Sequence, residues 1–160
     1  MCTPQLRFSA LTILLVSGVF AVMAADYTGP RPPKPDMLYL VHADNLIPTE
    51  AGEAQETKNA NTYTIQGASS PARTPLAEPI FLMQSDKLTP DSLELYKLDV
   101  KGGHREITMG GGRRNSKALH LAVTRLSQGL YRIEADEELD NGEYVLSPMG
   151  SNRVFCFEIF

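Results

Sequence analysis

Leu130-Tyr131-Arg132-Ile133-Glu134-Ala135 alternates in side-chain character, with Tyr131, Ile133 and Ala135 on one face and Arg132 and Glu134 on the other. A period of two is that of a strand with one buried face. Working outward, Ser127-Gln128-Gly129 turns the chain just before this strand. Leu119, Leu121, Val123 and Leu126 form the run that precedes the turn. On the other side, Leu139-Asp140-Asn141-Gly142-Glu143-Tyr144-Val145-Leu146-Ser147-Pro148 sets Asn-Gly ahead of another strand, and Asn-Gly readily takes the positive φ that tight turns demand. Val154 to Phe160 closes the chain, with Phe155, Phe157 and Ile159 on one face and Cys156 and Glu158 on the other.

The same reading extends upstream. Leu93 and Leu95, then Tyr96, Leu98 and Val100, form one run whose face switches near Leu95. Thr89-Pro90-Asp91-Ser92 ahead of it suits a helix start, so a helix over 91–98 is the rival reading. Lys101-Gly102-Gly103 turns the chain into His104–Met109 as a hairpin partner, and Gly110–Asn115 reads as a flexible tip. Met37–Ala43, Thr62–Ile65 and Ile80–Met83 are short strands rich in β-formers, the first ended by Asn45-Leu46-Ile47-Pro48. Thr49 to Asn61 places Glu50, Glu53 and Glu56 at helical spacing without an apolar face, which predicts a solvated loop or frayed helix. Gly67 to Pro79 reads as a long loop punctuated by prolines. Short strands without convincing helices supply no βαβ crossovers. Turn signals about every 8–12 residues predict an all-β fold, a single antiparallel β-sandwich of about seven to nine short strands over residues 37–160. An outer-membrane barrel is disfavoured, because spanning strands need about 9–11 residues with a lipid-facing apolar set.

The N-terminus predicts export. Arg7 is the only charge before Asp26, and Phe8 to Ala25 is uncharged and largely apolar. A basic start, an apolar run and small residues at its end have the form of a secretory signal, assigned to residues 1–24 with cleavage after Ala24. Retention as a membrane anchor is the alternative, and either places the domain outside the cytoplasm. Residues 25–36, which include Gly29-Pro30-Arg31-Pro32-Pro33-Lys34-Pro35, form a stiff Pro-rich linker. Loss of Arg7 leaves fourteen Lys and Arg against nineteen acids, a net charge of −5. That balance argues against nucleic acid as a partner and gives no attraction to anionic lipid. Cys156 alone would remain, so no internal disulfide forms, and its apolar neighbours predict a buried, inert thiol.

No constellation in the sequence carries chemistry. His42 and Asp44 are the only close His–carboxylate pair, and a metal site needs three or four convergent ligands. A small metal-dependent or hydrolytic protein using His42 and Asp44, with His104 or His120, is therefore the second hypothesis. No serine sits in a Gly-x-Ser-x-Gly elbow. Asp136-Glu137-Glu138 and Asp140 cluster without the spacing of a calcium loop. No cofactor is expected.

Leu139–Leu146 resembles a phrase, Leu-x-x-Gly-x-Tyr-x-Leu, found at turn-to-strand junctions of immunoglobulin-like and carboxypeptidase-regulatory-like β-sandwich modules in exported bacterial proteins. The resemblance covers under a tenth of the chain and implies a sandwich, with no catalytic residues to transfer. The first hypothesis is thus a non-catalytic binding or structural module of the periplasm or cell envelope, meeting another envelope or secreted protein. Long loops on a rigid scaffold often carry function. The Gly67–Pro79 loop and the Gly110–Asn115 tip, with Arg73, Arg113 and Arg114, are the candidate contacts.

Overall fold

The computed structural model describes residues 27–58, 61–110 and 117–160. The expected secretory signal, residues 1–24 with Arg7, lies outside them, as do Arg113 and Arg114. The all-β expectation holds: the described residues form thirteen strands and one 3-10 turn, Pro90–Ser92. The strands are β1 (Leu38–His42), β2 (Asn45–Pro48), β3 (Glu50–Glu53), β4 (Gln55–Glu56), β5 (Thr62–Gln66), β6 (Arg73–Thr74), β7 (Ile80–Gln84), β8 (Leu93–Lys101), β9 (His104–Thr108), β10 (Leu121–Ser127), β11 (Leu130–Ala135), β12 (Gly142–Pro148) and β13 (Arg153–Ile159).

They make two sheets. The first runs β10-β11-β7-β1-β2, and all its pairs are antiparallel. The second runs β3-β13-β12-β8-β9-β5-β4, with β6 added in parallel to β13. Its edge strands β3 and β4 are consecutive in the chain, separated only by Ala54, whose N–H donates to the Asn152 carbonyl at 2.8 Å. The second sheet therefore curls nearly round to meet itself as a barrel.

This closure explains the burial pattern. Strands β8, β12 and β13 are covered on both faces. Leu93, Leu95, Tyr144, Leu146, Phe155, Phe157 and Ile159 join Leu38, Leu40, Phe81, Met83 and Ile133 of the first sheet in one core. The alternate residues Tyr96, Leu98, Val145, Val154 and Cys156 join Ile65 and Ile107 in a second core inside the barrel. β8 pairs with β12 in unbroken register from Leu93 to Leu98. The apparent face switch at Leu95 is thus one regular strand whose faces meet different cores.

Two segments fold otherwise than their sequence suggests. Thr49–Asn61, expected as a solvated loop or frayed helix, is extended over its described part: Glu50–Glu53 pairs with β13 and Gln55–Glu56 with β5, and main-chain bonds hold a segment that has no apolar face. Over residues 93–100 the strand reading holds against its helical rival, because Pro90–Ser92 makes only a single 3-10 turn before β8. Asn45–Pro48 does not simply end the first strand. It folds back on it as β2, with Ala43 at φ 51 in the turn. The Lys101–His104 turn forms as read: Gly102 and Gly103 have φ of 57° and 82°, the positive pair a two-residue hairpin turn requires.

The linker's end belongs to the domain. The Asp36 N–H donates to the Gln84 carbonyl at 2.8 Å, and its carboxylate accepts from the N–H groups of Asp86, Lys87 and Leu88.

Candidate functional site

Alternation within the barrel strands decides what points inward, and the inward residues divide the interior into two ends. At one end the inward positions are charged. Arg105 of β9 shares a face with Ile107, and its side chain is fully buried. Its guanidinium donates from Nη1 to Glu50 Oε2 at 2.7 Å and from Nη2 to Glu50 Oε1 at 2.8 Å, a bidentate fork. Nε and Nη2 also donate to the carbonyls of Gly67 and Gln66 at 2.9 and 2.6 Å. Glu143 of β12 lies 3.5 Å from Nη1 and accepts the Ser70 N–H at 3.1 Å. The Ser70 hydroxyl donates to the Cys156 carbonyl at 3.1 Å.

The segment from Gly67 to Thr74 is therefore not a free arm. It is stapled against the barrel end and plugs it, with Ser70, Ala72 and Thr74 buried. Arg73, a predicted partner contact, is already engaged. Its guanidinium forms a two-point ion pair with Glu158 and lies over the Phe160 ring, 4.5 Å from the centroid.

The two carboxylates of the plug differ. Burial pushes Glu50 up, but the hydrogen bonds and charge of Arg105 more than offset it and hold the carboxyl below the ordinary range. Burial pushes Glu143 up, and the Ser70 N–H and Arg105 do not fully offset it. Burial also drives the Cys156 thiol up to about 12, which keeps it protonated and inert.

These shifts predict opposite pH dependences. The stability tied to Glu143 is present in full below its ordinary value of 4.5 and is lost as pH rises through its higher folded value. That tied to Glu50 is present above 4.5 and is lost as pH falls through its lower folded value. Asp36 adds to the acid-side loss, because its three backbone donors outweigh the effect of burial. Urea unfolding from about pH 3 to about pH 8 is expected to show stability falling on both sides of a maximum. Glu143→Gln flattens the alkaline-side decline and leaves the acid-side loss in place. An unchanged alkaline slope in the variant refutes this assignment.

The other end of the barrel is open. A cavity of about 320 Å3 enters there, floored by Ile65, Ile107, Val145 and Val154, with Tyr63 and Tyr96 in its wall. Glu94, Ser147 and Asn152 supply polar groups to its lining. The Tyr96 hydroxyl donates to Glu94 Oε2 at 2.9 Å. Burial, followed by the neighbouring Glu94, pushes the phenol up to about 12, so Tyr96 stays a neutral donor.

No family model, curated protein or solved structure matches this chain. The site is therefore read from its own chemistry.

The remaining candidates do not converge. His42 and Asp44 sit exposed at the β1–β2 turn, where His42 pairs with Asn45. His104 begins β9 with Nε2 3.5 Å from Glu106 Oε2, and His120 is exposed beside β10. Among the described residues, no group of three or more His, Cys, Asp or Glu is placed to hold a metal ion. Arg113 and Arg114 lie outside the described residues. On either side of them, Met109 lines the cavity and Ala118 packs on the barrel core.

The cavity and the charged plug escaped the sequence reading. Their signal was the face shared by Arg105, Ile107 and Met109, and by Glu143 and Val145, which puts a charge in an inward register.

Proposed function

We propose that this chain is a non-catalytic binding module that works outside the cytoplasm and binds a small molecule in the open end of its barrel. The observation that carries this is the cavity itself, with an apolar floor, a polar rim and a volume at the lower end of the ~300–1,000 Å3 typical of small-molecule pockets. A barrel closed at one end by a hydrogen-bonded plug and open at the other is a preformed container, and preformed sites bind with little ordering cost. The first sheet packed on β8, β12 and β13 supplies the rigid support, a layered arrangement of the kind that the immunoglobulin-like phrase at Leu139–Leu146 suggests. The leader composition at Phe8–Ala25 supports the extracytoplasmic location, with residues 1–24 removed.

Fractionation and thermal unfolding test the two halves. The protein is expected in the extracytoplasmic fraction, shortened by its leader; intact protein in the cytosol overturns that half. The neutral probe 2-phenylethanol is expected to raise the melting temperature, by the equivalent of about 2.7 kcal/mol at a hundredfold excess over Kd. Ala54→Leu, which puts methyl groups into the cavity, is expected to abolish the shift. A shift that survives this variant places the ligand elsewhere and refutes the barrel mouth as the site.

A further inference from the structure

Glu94 decides what kind of molecule the cavity selects. Among the described residues of the lining Glu94 is the only formally charged one, and none of them is Lys, Arg or His. It is half-buried in β8, inward on the same face as Tyr96 and paired across the sheet with Ser147. Among the described residues it has no ion-pair partner, and its one hydrogen bond is the one it accepts from Tyr96. A carboxylate has about four lone-pair sites, so most of its accepting capacity is unused.

Any occupant of the mouth strips water from this carboxylate, which is costly unless the occupant supplies a compensating charge or donor. A ligand carboxylate or phosphate adds repulsion, and no described residue of the lining offers it a cation. A neutral alcohol offers one O–H donor but no opposing charge. A protonated amine satisfies the carboxylate, and the presence of Tyr63 and Tyr96 in the wall offers aromatic rings of the kind that attract cations. The apolar floor of Ile65, Ile107, Val145 and Val154 requires the rest of the ligand to be hydrophobic.

We propose that the barrel mouth binds a small hydrophobic amine, with the apolar body on the barrel floor and the ammonium group against Glu94. This rests on the binding reading above, and the experiment separates the two. Three probes of nearly equal size are titrated by calorimetry into the protein as cells accumulate it: 2-phenylethylamine, 2-phenylethanol and phenylacetate. The amine is expected to bind about tenfold tighter than the alcohol, as a charge-assisted hydrogen bond allows, and phenylacetate weakest. Glu94→Gln keeps an acceptor for the Tyr96 hydroxyl, and its affinity for the alcohol verifies that the site is still folded. In this variant the amine falls to the level of the alcohol. Equal binding of amine and alcohol by the unaltered protein, or amine affinity unchanged in Glu94→Gln, overturns the amine assignment and leaves the cavity reading standing. No binding of any of the three overturns both.

Discussion

Arg105→Met is expected to destabilise the protein by about 3–5 kcal/mol, a large part of the roughly 5–15 kcal/mol that holds a domain together. The guanidinium is fully buried, and its N–H groups are taken by Glu50, Gln66 and Gly67, with Glu143 close by. A methionine fills similar space but removes the cation that Glu50 and Glu143 face and the donors to the Gln66 and Gly67 carbonyls. Urea denaturation at neutral pH reads the loss directly. Arg105→Lys keeps the charge but not the planar fork, and is expected to recover only part of it. The triple variant Arg105→Met, Glu50→Met, Glu143→Met removes the charges together and is expected to recover most of the stability, because an apolar replacement of a buried ionic cluster is often neutral or better. A loss under about 1 kcal/mol for the single variant would mean that water reaches the plug.

The plug also shows what the sequence could and could not carry. Strand β11 was legible from the alternation of Tyr131, Ile133 and Ala135 with Arg132 and Glu134, although Leu130 at its start is buried on the other face. The β12 and β13 segments were legible too, although both faces proved to be buried. Glu50–Glu56 was not, for a physical reason. Its strand character comes from main-chain bonds to β13 on one side and to β5 on the other, and backbone bonding leaves no side-chain periodicity. The spacing of Glu50, Glu53 and Glu56 imitates a helix by accident, although Glu50 points to Arg105 and Glu53 and Glu56 are exposed. Barrel closure itself joins residues about a hundred positions apart, such as Glu50 and Cys156, and no local pattern encodes that pairing. Arg73 was legible as a surface arginine, but not as one already paired with Glu158, because that contact depends on how Gly67–Thr74 is stapled down.

Phe157→Ala is expected to cost about 3–5 kcal/mol, the range for emptying a buried aromatic site. Phe157 is fully buried where the two sheets meet. Its ring meets Phe81 of the first sheet edge-on at 4.9 Å and stacks on Tyr144 of the second at 5.5 Å. Such aromatic pairs add about 0.5–1.5 kcal/mol to the burial of their area. Phe157→Leu keeps most of the volume and is expected to lose less than half as much. Thermal unfolding of both variants measures the difference. The side chain also separates the two cores, because on β13 Phe157 faces the first sheet whereas its neighbour Cys156 faces the barrel interior. If the barrel is a container stiffened by its own main-chain closure, folded Phe157→Ala protein retains its affinity for 2-phenylethanol despite its lower melting temperature. If the affinity falls in step with stability, the cavity depends on the packing behind it, and the first sheet is part of the binding apparatus and not only its support.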